Sequence, residues 1–278
     1  MVGGFDQGHN EVEIYSPNGK CHHGLAPIPE GYNHPILAYV DNKILSCAGY
    51  YNMDCFQYHL LNNSWAVYST APNEYFGAEG ISFTQKIFLA DNEFADLFDP
   101  VENSWSEWTG PLNKSARGSC LLNWNNKFLL LGGRSNPRGI QVFDHSSQLW
   151  EVVESDSVPF DIDYSSCILL PNDDVLVVGS IVSPFRSSVG LYNPNANTWK
   201  VLKDTTISRY GASLVKLGSR VFLLDGEGGN EVEEFDSTDN SWTKVKAQLI
   251  SHRKGGQGVL ALPADMFNLL PGSCLGVE

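Results

Sequence analysis

The stretch Lys127-Phe128-Leu129-Leu130-Leu131-Gly132-Gly133-Arg134, followed by Phe143 and, seven residues on, by Trp150, decides how this chain is read. Its apolar run lacks polar alternation, as expected of a strand covered on both faces. The paired glycines end it where the chain leaves the strand and crowds a neighbour, a place that calls for positive φ and no Cβ. The aromatic and the tryptophan then frame a tight reversal, so the segment reads as a strand with a hairpin beyond it.

The same frame recurs outward in both directions. Trp falls at 65, 105, 150, 199 and 242, with gaps of 40, 45, 49 and 43 residues. Seven residues before each stands Tyr58, Phe98, Phe143, Tyr192 or Phe235. Turn formers lie between, as in Pro100-Val101-Glu102-Asn103-Ser104 and Ser237-Thr238-Asp239-Asn240-Ser241. A sixth copy opens at Val12-Glu13-Ile14-Tyr15, with Cys21 one residue short of the place of Trp. Upstream of each later hairpin lies a second one, such as Ile36-Leu37-Ala38-Tyr39-Val40 with Lys43-Ile44-Leu45. Four strands repeated every 40–49 residues is the period of a propeller blade.

Terminal Gly-Gly, a Tyr or Phe opening a turn, and Trp seven residues later resemble the kelch repeat, over about residues 2 to 270. The resemblance implies an all-β, six-bladed kelch β-propeller with four antiparallel strands per blade. Blades are expected at 1–30 plus 254–272, 34–72, 75–112, 116–158, 163–206 and 209–250, so that N- and C-terminal strands share the closing blade. Gly3-Gly4 and Gly272-Ser273 compete for one position there. The chain departs from the family pattern at Ala48-Gly49, Ala90-Asp91, Gly179-Ser180 and Asp225-Gly226.

Net charge is −14, which disfavours nucleic acid as a partner. No run of 18 apolar residues is present, so no transmembrane helix is expected. The start Met1-Val2-Gly3-Gly4-Phe5-Asp6 carries no secretory signal pattern, and a cytoplasmic monomer is the expectation. The six cysteines show no CxxC spacing and read as scattered, buried free thiols. No HExxH, finger, Walker or GxSxG motif occurs, so no cofactor and no metal site is predicted.

Six of the seven arginines fall on one face of the expected ring. Arg117, Arg209 and Arg253 stand in blade-to-blade loops, and Arg134, Arg138 and Arg186 in loops between second and third strands. Arg offers a planar fork for carboxylates. With Tyr75, Tyr164, Tyr210 and His34 on the same face, these residues are expected to bind an acidic peptide or protein, because Tyr and Arg are favoured interface anchors. Kelch relatives imply a non-enzymatic interaction module, as a substrate adaptor or scaffold, including actin-binding ones. The competing reading is a sugar-binding enzyme resembling sialic acid mutarotases, with Glu74, Glu93 or Glu227 near Arg117 or Arg209 as its acid–base pair. A deep channel holding a glutamate of raised pKa would favour the enzyme.

Overall fold

The structure is a computed structural model that describes residues 10–17, 23–31, 34–49, 52–91, 94–108, 116–155, 157–227, 229–249, 256–263 and 266. Five sheets have four antiparallel strands each. Blade A consists of Ile36–Val40, Lys43–Gly49, Asn52–His59 and Ser64–Thr70. Blade B consists of Glu79–Phe83, Lys86–Ala90, Ala95–Asp99 and Ser104–Glu107. Blade C is Ser119–Trp124, Lys127–Gly132, Ile140–Asp144 and Leu149–Val152. Blade D is Ser166–Leu169, Val175–Val178, Val189–Asn193 and Thr198–Val201, and blade E is Ser213–Leu217, Arg220–Leu224, Glu233–Asp236 and Ser241–Lys244. The innermost strands of A and B, B and C, C and D, and D and E lie against one another.

Register follows the repeat. Each aromatic sits directly opposite its Trp: Tyr58 with Trp65, Phe98 with Trp105, Phe143 with Trp150, Tyr192 with Trp199 and Phe235 with Trp242. Cross-strand aromatic pairs of this kind stabilise a sheet. Two residues before each Trp the backbone turns left-handed, at Asn63, Asn103, Gln148, Asn197 and Asn240. Asn visits that region readily, which explains its recurrence in the turn. The inner hairpins of blades A, B and C reverse through two consecutive positive-φ residues, Asp41-Asn42, Thr84-Gln85 and Asn125-Asn126, the geometry that matches strand twist. Second strands are the most buried, and apolar clusters form between blades rather than within them, for example Leu129, Leu131, Val175 and Val177 between C and D.

Blades E and A are not joined by a sixth four-stranded sheet among the described residues. The arc between them holds a two-stranded ribbon, Val12–Ile14 with Val12 opposite Leu25 and Ile14 opposite His23, together with the tail segment 256–263. Tyr15 and Val259 pack with Val215 and Phe222 of blade E. Ile14, Leu260 and Met266 pack with Ile44 and Tyr58 of blade A. This corrects the six-bladed kelch expectation: the protein is a five-bladed propeller of four-stranded sheets with a wedge in the remaining arc. The ribbon pairs only three residues per strand, and the tail forms a single bridge, at Gly258. Gly3-Gly4, Cys21 and Gly272-Ser273, on which the sixth sheet was to be built, lie outside the described residues.

The cysteine expectation is also corrected. Cys47 is joined to Cys55 between adjacent strands of blade A, and Cys120 to Cys167 between the inner strands of blades C and D. Chain spacings of 8 and 47 residues concealed these pairs; hairpin register and inter-blade contact create them.

Candidate functional site

Six chain segments meet at one end of the propeller axis. Each enters its axial position through a residue of positive φ: His34 (54°), Gly77 (81°), Gly118 (64°), Tyr164 (51°), Gly211 (63°) and Gly256 (68°). Backbone N–H groups link them in sequence around the axis. His34 donates to Gly256 O (2.7 Å), Gly256 to Gly211 O (3.1 Å), Gly211 to Tyr164 O (3.2 Å), Tyr164 to Gly118 O (2.8 Å) and Gly118 to Gly77 O (3.2 Å). Four of the six are glycine, the residue for which this conformation costs least. His34 and Tyr164 adopt it with full side chains, and their rings approach to 5.1 Å between centroids.

A cavity of about 180 Å³ runs inward from this ring. Its wall is polar: Glu79, Ser165, Ser166, Ser213 and Gln257 line it with His34 and Tyr164. Ser213 Oγ donates to Gln257 O at 3.3 Å, and Gln257 Nε2 to Leu224 O at 3.3 Å, which seats the tail against blade E. Gln257 Oε1 is buried and has no hydrogen-bond partner among the described residues. Asp163 Oδ1, beside the ring, is in the same state.

Electrostatics separate the titratable groups. Glu79 opens the inner strand of blade B, and desolvation lifts its carboxyl well above the ordinary 4.5. Desolvation is the cause of that shift, although the residue is half-buried and not enclosed. Burial, helped by the positive charge of Arg117, pulls His34 down from 6.5 to about 4, leaving a neutral imidazole at neutral pH. Asp163 is raised by burial, against the opposing pull of Arg134 and Arg117. The site thus holds a carboxylic acid biased towards its protonated form and an imidazole biased towards its neutral form.

The arginines expected to meet a partner are largely engaged within the protein. Arg209 is 1% exposed. It donates to Glu233 Oε2 (2.9 Å) and to the carbonyls of Asp225 (3.0 Å) and Glu231 (2.7 Å), so it braces blade E. Tyr75 is buried and donates its hydroxyl to Asp96, the equivalent brace in blade B. Arg138 pairs with Asp161 at 2.7 Å. Arg186 pairs with Glu227 at 3.2 Å and stacks on Tyr210, so Glu227 stands at the rim and not in the cavity. Arg117 Nε donates to Tyr164 Oη at 3.2 Å. Arg134 is exposed. Arg253 and Glu93 lie outside the described residues, and Glu74 does not line the cavity. Of the predicted residues that are described, His34, Arg117 and Tyr164 come together at the axis.

Glu79, Asp163 and Gln257 escaped the sequence reading. One signal for Glu79 was available: a carboxylate in a blade's innermost strand, where the other four-stranded blades begin with Ile36, Ser119, Ser166 and Ser213. A charge in such a strand is costly unless it has a use.

No protein-family model matches the chain, and no curated protein does. Among solved structures, 501 chains match. One, titled "Structure of YjhT", superposes with a TM-score of 0.68 at 15% identity, covering 80% of this chain and 87% of that one. At that identity the likeness is one of fold. It falls on the YjhT propeller, so the kelch assignment and the adaptor and scaffold roles drawn from it are withdrawn. The non-enzymatic, acidic-peptide-binding reading is overturned with them. Arg117, Arg138, Arg186 and Arg209 of the arginine face have partners within the protein, and the axial cavity is lined by the raised glutamate that distinguishes the enzyme alternative.

Proposed function

We propose that the protein is an acid–base enzyme that interconverts the anomers of a small reducing sugar in the axial cavity. The observation that carries this reading is Glu79, a carboxyl of raised pKa opening into a polar cavity of about 180 Å³. The wall of hydroxyls and amide suits a polyhydroxylated ligand, and the volume suits a small one. The fold likeness to YjhT supports the propeller architecture around that cavity.

In this reading protonated Glu79 delivers its proton to the ring oxygen of the sugar. Neutral His34 takes the proton of the anomeric hydroxyl, the bond between anomeric carbon and ring oxygen breaks, and the open-chain carbonyl forms. Rotation and reclosure on the other carbonyl face return both protons, so the cycle consumes nothing. The unpaired Gln257 Oε1 accepts from a sugar hydroxyl and fixes the ring's orientation. Activity requires Glu79 protonated and His34 neutral, which gives a bell-shaped profile rising through about 4 and falling through the raised pKa of Glu79.

The disulfides favour an oxidising compartment over the reducing cytoplasm.

The test is anomer exchange, measured by NMR on a panel of freshly dissolved reducing sugars. Acceleration of one of them by the wild type, with a loss on the order of 10²–10⁴-fold in Glu79→Gln, supports the reading. No acceleration across the panel, or a Glu79→Gln variant as fast as wild type, removes it.

A further inference from the structure

We propose that a second cavity, at blade B, binds a small organic cation carrying N–H donors, an alkylammonium or a guanidinium ion. The cavity measures about 320 Å³, against about 180 Å³ at the axis. Pro72, Asn73, Phe94, Asp96, Trp105 and Glu107 line it. Asp96 stands directly opposite Glu107 in the antiparallel register. Cβ atoms of such a pair lie on the order of 5 Å apart, and like charges placed there destabilise a sheet. Among the described residues no basic side chain lines the cavity to offset them.

The other blades show that the fold does not need this pair. At the same position, two residues after the Trp and opposite the residue two before the aromatic, blade A sets Val67 against Phe56. Blade C sets Val152 against Gln141, and blade D sets Val201 against Gly190. Blade E also has a carboxylate there, Glu233, and sets Lys244 against it. Blade B answers its carboxylate with a second one. Asp96 is 1% exposed. Among the described residues both side-chain donors to it, Asn73 Nδ2 (2.8 Å) and Tyr75 Oη, use Oδ2, which leaves Oδ1 for a ligand. The apolar wall selects the kind of cation. Trp105 is held by its Nε1 bond to Ser69 Oγ (3.0 Å) and by stacking on Phe98 at 4.5 Å. Phe94 is 41% exposed, an aromatic ring left open to solvent at a cavity with two carboxylates. Aromatic rings attract organic cations, and carboxylates take their N–H groups in charge-assisted hydrogen bonds. A metal ion is less well served, since no group of three His, Cys, Asp or Glu that could hold one occurs among the described residues.

The experiment titrates the full-length protein with n-butylammonium and with ethylguanidinium at low ionic strength, read by NMR line broadening of the probe. Saturable binding of at least one is expected. Glu107→Gln should weaken it about tenfold, the worth of one charge-assisted hydrogen bond. Phe94→Ala should weaken it about threefold, the worth of an exposed cation–π contact. Glu107→Lys gives blade B the pairing of blade E and should abolish binding. Glu151→Gln removes the same charge from the outer strand of blade C and should leave binding unchanged. Glu107 and Phe94 are exposed, so their replacement spares the core, and if Phe94→Ala does not fold, Glu107→Gln decides alone. No saturable binding of either probe overturns the proposal. Equal losses in Glu107→Gln and Glu151→Gln also overturn it, because the attraction is then one of net charge. Displacement of the probe by an equal concentration of calcium ion overturns the organic cation in favour of a metal. None of these outcomes depends on Glu79 or on anomer exchange.

Discussion

The brace layer under the loops and the axial ring beside it are built from neighbouring residues, yet they treat polar groups in opposite ways. Two residues before the ring position, blade B carries Tyr75 and blade E carries Arg209. Each reaches a carboxylate two residues before the third-strand aromatic, Asp96 before Phe98 and Glu233 before Phe235. One slot is thus filled by a phenol–carboxylate bond and the other by a buried ion pair. At the ring, by contrast, Asp163 Oδ1 and Gln257 Oε1 are buried and lack a hydrogen-bonding partner among the described residues. Buried polar groups cost free energy unless matched. The bonds of Tyr75 and Arg209 brace blades B and E, and the open acceptors Asp163 Oδ1 and Gln257 Oε1 stand at the ring.

The largest test of this contrast is Arg209→Met. It leaves the Glu233 charge buried without a cation, with only the Thr206 N–H (2.7 Å) still donating to it, and a loss of about 3–5 kcal/mol is expected in urea unfolding. Adding Glu233→Gln to the same chain removes the stranded charge and should restore more than half of that loss. A double variant as unstable as the single one would show that the ion pair is not what Arg209 contributes.

The second concerns the ring. The folded-state pKa of His34, about 4, lies below its unfolded value of 6.5, so its contribution is present above pH 6.5 and is lost as pH falls through 4. The loss amounts to about 3 kcal/mol at most. His34→Asn, which tolerates the same backbone, should flatten stability across that window. An unchanged pH profile in the variant would place the titration elsewhere.

Tyr75→Phe is the smallest. Asn73 still donates to Asp96 at 2.8 Å, so the carboxylate keeps one partner and the expected cost is about 1–2 kcal/mol in thermal or urea unfolding. A cost equal to that of Arg209→Met would erase the distinction between neutral and charged braces.

Much of this was legible along the chain. The aromatic and Trp of each hairpin face one another because a spacing of seven with a polar turn between them admits one tight register. The residues before the inner strands were recognised as a shared face, and His34, Arg117 and Tyr164 do meet there. The arginine face misled because charge along a sequence says nothing of burial. Arg209 and Arg134 look alike in the chain, and one is enclosed while the other is exposed.

The sequence by itself determined the repeat, the four-stranded blade and the turn chemistry, since these depend on contacts within about 45 residues and on side-chain period. Tertiary structure alone decided the number of complete sheets, the pairing of the cysteines, which arginines are internally matched, and the placing of Glu79, His34 and Gln257 around one cavity. Those depend on what faces what across the axis, where residues far apart in the chain share one desolvated space and only their mutual burial sets their charge.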